Sequence, residues 1–268
     1  MFRKLYALIK KDLLIETSYK LSFFLNIFSV FVLLLTYFFI DKLFSGRISK
    51  HLQEFGVNYF SYVLLSMAFF SYIGVGMGSF ADQVRQEQTM GTLETLLLTP
   101  TRVGIILGSM ACWNLIFATF NICIYFILGV FLFHIDFGNV NILSAIIILI
   151  LTIICFSSLG ILSACFIIVF KRGNPIAWVI NNLEGLLGGV FFPIAVMPKF
   201  LQTIAQFLPI THAIRAIELA VYKNYTLSQL SSECAILLIF SIILSPLSFF
   251  AFGYALKKAR QQGSLIQY

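Results

Sequence analysis

Charge is what this chain of 268 residues has least of. Asp, Glu, Lys and Arg together make up 11% of it, against roughly 25% in an average soluble domain. With 60% hydrophobic residues and a mean hydropathy of +0.96, the polar surface is too small to cover a core in water, which excludes a soluble globular fold. Cysteine is scarce and unpatterned. Cys112, Cys123, Cys155, Cys165 and Cys234 are odd in number, lie in or beside apolar runs and form no C-x-x-C, so neither a disulfide framework nor a zinc site is supported. They read as small hydrophobes in helix packing. The three histidines, His51, His134 and His212, are far apart with no H-E-x-x-H, and no metal site is expected. There is no G-x-x-x-x-G-K-[ST] phosphate loop and no G-x-S-x-G elbow, so no ATP hydrolysis by that route and no enzyme active site is indicated. Gly74-Val-Gly76-Met-Gly78 is not a dinucleotide fingerprint. Inside an apolar run it reads as a small-residue face for close helix approach. Basic residues are too scattered for a nucleic-acid patch despite a net charge of +7. Fixed-period repeats and low-complexity linkers are also missing, so residues 1–268 are treated as a single domain.

What the sequence has instead is long apolar runs. A bilayer core of about 30 Å needs about 20 apolar residues in a helix. Six segments qualify, roughly 21–40, 57–80, 103–132, 142–170, 175–193 and 234–256. The runs are continuous, not alternating, which favours helices over barrel strands. The first begins too late, and runs too long, for a secretory signal. Lys and Arg set the orientation, because they are enriched on the cytoplasmic side. Twelve of them lie in the N-terminal segment, the 81–102 loop, Lys171-Arg172 and the C-terminal tail; six lie in 41–56, 133–141 and 194–233. Both termini are therefore expected in the cytoplasm of a multi-pass protein of the cell (inner or plasma) membrane. Phe2, Leu5, Tyr6, Ile9 and Leu13 recur at helical spacing among Arg3, Lys4, Lys10 and Lys11. That segment either lies on the inner membrane surface or extends the first span. Ser157, Gly160 and Ala164 form a further small face, and Pro246 and Gly160 are expected to kink their spans.

Two constellations carry more information. The loop after the second span contains Thr92 as a plausible N-cap, Glu94 near the positive end of a helix dipole, and Leu93, Leu96 and Leu97 as an apolar stripe stopped by Thr99-Pro100. Such a short amphipathic helix either lies on the membrane or inserts its leucines into a partner's groove. The second constellation runs from Gly188 to His212, where Pro193, Pro198 and Pro209 interrupt an apolar run. Phe200, Leu201, Ile204, Ala205, Phe207 and Leu208 fit short helices of a re-entrant or interfacial hairpin on the outer side. Irregular backbone at membrane depth has to be covered by protein or line a cavity, so this segment reads as a gate or vestibule wall, or else as a loop on lipid headgroups.

These residues also carry a resemblance. Gln86-Glu87-x-x-x-Gly91-Thr92-Leu93-Glu94-x-Leu96-Leu97-x-Thr99-Pro100 resembles the cytoplasmic motif of ABC-2 type transporter permeases. Gly189-Val-Phe-Phe192-Pro193-x-x-x-x-Pro198, followed by Leu208-Pro209-x-Thr211-His212, is similar to the family's second signature. The resemblance implies an all-α permease half of six spans with a cytoplasmic coupling helix at 92–98, flanked by Glu87 and Glu94. It implies dimerisation with a second copy and two separate ATP-binding subunits, usually for export. ATP-Mg would sit on those subunits, with no cofactor on this chain. Drugs, lipid-linked polysaccharides and teichoic acids are among the family's cargoes.

Glu184 stands near the middle of the fifth span, where a carboxylate is costly and a functional candidate. Asn181, Glu184, Gly185 and Gly188 share a helical face turned from lipid. Glu184 is either a protonated hydrogen-bonding group, a pathway-lining group or a titrating proton relay. The translocation pathway or gate is thus placed at Asn181, Glu184, Gly188, Phe192, Pro193, Pro198 and Pro209. Two rival functions are a proton-coupled secondary transporter using Glu184, and a membrane scaffold whose loop recruits a soluble partner. The lack of other acids in the spans and of an inverted repeat counts against the former.

Overall fold

The computed structural model describes residues 20–48, 54–89, 103–135, 140–170 and 182–261, with Lys10, Leu14, Leu52, Phe137 and Gly138. Within the helices, the side chains at 22–23, 44–48, 79–84, 86–89, 103–114, 169–170, 256 and 259–260 lie outside that description. Every regular element among the described residues is helical. Four long helices come first: α1 (Lys20–Ile48), α2 (Tyr59–Thr89), α3 (Val103–Phe131) and α4 (Ile142–Phe170). A helical stretch at 182–187 leads through a 3-10 turn at Ile194–Val196 into α5 (Lys199–Gln206) and α6 (Pro209–Tyr222). The last helix is α7 (Ser231–Gln261).

α2 is the centre of the bundle. Most residues of its apolar stretch Tyr59–Gly78 are buried, whereas few of Phe24–Leu43 in α1 are, and it packs on α1, α3, α4 and α6. α7 lies along α4, and α6 bridges α4 and α7. The sequence explains how closely α2 and α4 cross. A Cβ on Gly160 would come within 2.7 Å of the Gly76 carbonyl oxygen and 2.8 Å of that of Met77. The two small-residue faces meet where only glycine lets backbones approach so nearly. Hydroxyls in the apolar helices are satisfied locally, as lipid requires: Thr119 donates to Leu115 O (2.7 Å), Thr152 to Ile148 O (2.7 Å) and Ser241 to Leu237 O (2.8 Å). Two polar contacts tie α4 to α7, Ser158 to Ser245 (3.1 Å) and Ser241 to Leu151 O (3.2 Å). α7 continues as helix through Pro246.

Four helices among the described residues are long and apolar enough to cross a membrane: Phe24–Leu43, Tyr59–Gly78, Ile142–Ile168 and Ser231–Ala255. The bent pair α5–α6 makes a fifth only if it is read as one broken span. α3 is a continuous helix of 29 residues, of which Leu115–Phe131 counts as a shorter apolar helix. Residues 171–181, which hold Asn181 and Lys171-Arg172, lie outside the described residues. The chain is therefore a multi-pass membrane protein, all-helical among its described residues, with four or five candidate spans in view.

One boundary differs from the sequence expectation. The apolar run to residue 193 suggested a span of that length, but the helix stops after Leu187. The Gly188 N–H bonds back to Glu184 O (2.7 Å), and Gly189 has φ +84°. A left-handed residue ends a helix whatever the hydropathy beyond it.

Candidate functional site

The end of the 182–187 helix starts the site. A Cβ on Gly188 would collide with Glu184 O and lie 2.5 Å from Ile210 Cγ2, so glycine is what lets α6 seat on this turn. The chain then runs through Phe191 and Phe192 to Pro193, which precedes the 3-10 turn, and to Pro198, which caps α5. Pro209 begins α6, where its missing N–H costs nothing. α5 and α6 meet at 88°, so the prolines divide this segment into short helices joined by a sharp bend, the segment called the hairpin below. α5 buries Ala205 and leaves Phe200 and Ile204 exposed, as is Phe207, which caps it. Gln202 Nε2 donates to Met197 O (2.8 Å), and the His212 ring is bonded to Gln206 O (2.9 Å), holding the bends on either side of α5.

Polar side chains between α2 and this hairpin sit in the interior. The Tyr59 hydroxyl donates to Phe191 O (2.9 Å) and the Tyr62 hydroxyl to Gly189 O. Ser66 donates to Glu218 Oε1 (2.6 Å), and Tyr222 donates to Ser61 O (2.7 Å). Glu218, in α6, is completely buried, and its second oxygen has no hydrogen-bond partner among the described residues. Glu184 is 2% exposed, also with one oxygen unpartnered among them.

Two cavities flank the turn. A cleft of about 280 Å3 is walled by Glu54, Gln202, Gln206, Thr211, His212 and Arg215, with Tyr62, Gly188, Gly189 and Pro193 also lining it. An apolar groove of about 240 Å3 is formed by Leu186, Leu187, Phe192, Val196, Met197, Pro198 and Leu201. Arg215 closes the rim of the cleft, 2.7 Å from Glu54 and 3.5 Å from Glu233 at the start of α7. This pairing draws the turn before α2, α6 and α7 together, although the half-exposed contact with Glu54 adds little stability by itself.

Residues 3–222 match the ABC-2 type transporter family, and the match runs from the first helix through the whole hairpin. The chain belongs to the ABC-2 type transporter family. It is also 26% identical over 155 residues to a Bacillus subtilis (strain 168) protein named "Putative transport permease YvfS", covering 57% of this chain and 62% of that relative. The chain thus spans less than two thirds of that relative's length.

The ABC-2 hairpin gathers most of the sequence-selected gate residues but divides them. Gly188 and Pro193 line the polar cleft, Phe192 and Pro198 the apolar groove, and Pro209 supports α6 from a buried position. Glu184, Gly185 and Gly188 are buried while Leu183 and Leu186 are exposed, the face expected from their spacing. Asn181 is outside the described residues, as are Gly91, Thr92, Leu93, Glu94, Leu96, Leu97, Thr99 and Pro100. Glu87 lies on the helical backbone of α2, its side chain outside them. Sequence reasoning missed Glu218, Ser66 and the two tyrosines. The available signal is a lone acid in the apolar stretch Ala216-Ile217-Glu218-Leu219-Ala220, which is too short an apolar run to stand out from the connection 194–233.

Proposed function

We propose that this chain is the membrane-spanning half of an ATP-driven exporter, with six spans, both termini cytoplasmic, and a pathway formed between two copies. Two separate ATP-binding subunits dock on the 92–98 helix, Leu93, Leu96 and Leu97 entering a groove in each, with Glu87 and Glu94 at its flank. ATP-Mg binds on those subunits, and this chain carries out no hydrolysis itself. The hairpin from Gly188 to Tyr222 forms the outer gate, with Glu184 behind it. The observation that carries this reading is the family match through residue 222, which takes in both the docking motif and the hairpin. A ligand shifts a two-state equilibrium only through its differential affinity for the two states, so the docking helix must meet the ATP-binding subunits differently before and after ATP closes them.

The test is purification of the chain with and without a P-loop ATP-binding protein encoded beside it, followed by an ATP-hydrolysis assay. Hydrolysis that appears only with the partner, in a complex of two copies of each, is the expected result. A chain that stays alone in the presence of that partner overturns the exporter reading and leaves a proton-coupled transporter built on Glu184.

A further inference from the structure

We propose that the polar cleft between the hairpin and the turn before α2 is a binding site for the primary ammonium group of an organic cation, held by open acceptors on Glu54, Gln202, Thr211 and His212. The site itself stands without the exporter reading. Its use as the place where a cargo's amino group is held on the outer side rests on that reading.

The donors and acceptors of the wall decide the ligand. Its strong side-chain donors are spent on the protein. All three nitrogens of Arg215 face carboxylates: Nε and Nη2 donate to Glu54 Oε1 at 3.1 and 2.7 Å, and Nη1 lies 3.5 Å from Glu233 Oε1. Gln202 Nε2 stands between two carbonyls, donating to Met197 O at 2.8 Å and to Ala195 O at 3.4 Å. The Tyr62 hydroxyl donates to Gly189 O. His212 Nε2 meets the Gln206 carbonyl oxygen at 2.9 Å. A carbonyl only accepts, so that nitrogen carries the hydrogen of the neutral ring.

The acceptors are left over. Those bonds leave open the second oxygen of Glu54, the amide oxygen of Gln202 and Nδ1 of neutral His212, none of which takes a hydrogen bond from another described residue. Thr211 also lines the cleft, is 6% exposed, and its hydroxyl has no partner among the described residues. A buried hydroxyl left in that condition is costly. Apart from that hydroxyl, the Gln206 side-chain amide is the open donor of the wall among the described residues. A surplus of acceptors, one of them on an ionised group, selects a ligand that is positively charged and rich in N–H. A primary ammonium has three N–H donors and no acceptor. An anion finds no spare cation in the wall, because Arg215 is shared between two carboxylates. At about 280 Å3 the cleft is smaller than the roughly 300–1,000 Å3 of sites for drug-sized ligands, so it takes an aminoalkyl head and not a large molecule whole.

The test measures binding to the full chain in lipid nanodiscs by saturation-transfer NMR and calorimetry, with empty nanodiscs as the reference. The probes are butylammonium, butyltrimethylammonium and butyrate. Butylammonium should bind saturably. Its trimethyl analogue, with the same charge and no N–H, should bind at least about tenfold more weakly, and butyrate not at all. Glu54→Gln keeps an oxygen for Arg215 but replaces the open acceptor with an amide nitrogen, and should weaken butylammonium binding about tenfold or more. Thr211→Val removes only the hydroxyl and should weaken it about two- to tenfold, which keeps the site testable if Glu54→Gln fails to assemble. No saturable binding of butylammonium, equal binding of its trimethyl analogue, or binding unchanged by both substitutions overturns the site and leaves the exporter reading standing. The cargo role is read separately, in the complex with its ATP-binding subunits. There butylammonium should raise ATP hydrolysis by the unaltered complex and not by Glu54→Gln. Binding without that rise overturns the cargo role alone. A chain that binds butylammonium yet recruits no ATP-binding subunits overturns the exporter reading, and the cargo role with it, and leaves the site.

Discussion

A single methyl group separates two glycines of very different standing. At Gly160 an added Cβ would meet the backbone oxygens of Gly76 and Met77 at 2.7 and 2.8 Å, and backbone cannot rotate away. At Gly253, in α7, nothing lies within 4 Å of the same added atom. Gly160→Ala should therefore cost about 1–3 kcal/mol as an overpacked contact. Gly253→Ala should gain up to about 1 kcal/mol, because alanine is the better helix former. Thermal unfolding in detergent checks both; equal melting temperatures for the two variants would contradict the crossing. Glu184 poses a question of protonation instead of volume. An ionised carboxylate at 2% exposure, with one oxygen unpartnered, is costly in an apolar interior, so a proton on that carboxyl is the cheaper arrangement. Gln has the same size and can both donate and accept. Glu184→Gln should then preserve assembly and ATP hydrolysis by the complex within about twofold, a change worth under 0.5 kcal/mol. Abolished coupling in a correctly assembled Glu184→Gln complex would identify a titrating group instead.

Among the elements, the docking helix at 92–98 is tested by charge. Leu93→Asp with Leu96→Asp puts two carboxylates on its apolar stripe. Burying an unpaired carboxylate costs several kcal/mol, and each 1.4 kcal/mol is tenfold in affinity. The double variant should insert and dimerise as before yet lose its ATP-binding subunits during purification; retention at normal stoichiometry would place the stripe on lipid. How far the elements could be read in advance depended on what set them. Continuous apolar runs located the long helices, and Pro193, Pro198 and Pro209 located the breaks of the hairpin, because both act locally. Gly76 and Gly160 each stood in a small-residue face, but their pairing is a tertiary fact that spacing does not contain. Glu218 was hidden for another reason. Hydropathy treats a short helix that starts at a proline as part of a connection, whereas α6 is buried by folding back onto α2, and its lone acid meets Ser66 from 152 positions away. The end of the helix at Leu187 was hidden because two glycines in an apolar run look like packing residues until the positive φ of Gly189 is seen.

At the scale of the whole molecule, the arrangement makes sidedness an all-or-none property. Three connections meet at one end of the bundle. Asn141 N–H bonds to Ala220 O (3.1 Å), Phe137 stacks on Tyr222 at 6.1 Å, and Glu54 pairs with Arg215 at 2.7 Å. The turn before α2, the link from α3 to α4 and the end of the hairpin must therefore face the same side of a membrane. These are the connections that hold six of the 18 Lys and Arg, the other 12 lying in the alternate segments. A two-to-one bias sends the poorer side outward. A tag at Gly46 and single cysteines at Gly138 and Asn224 should accordingly all react with an impermeant reagent added outside intact cells, and a reporter fused after Tyr268 should read as cytoplasmic. The fully inverted pattern would overturn the orientation while keeping the fold. Labelling of Gly138 and Asn224 from opposite sides would be the graver result, since no orientation of this bundle separates two connections that are hydrogen-bonded to one another.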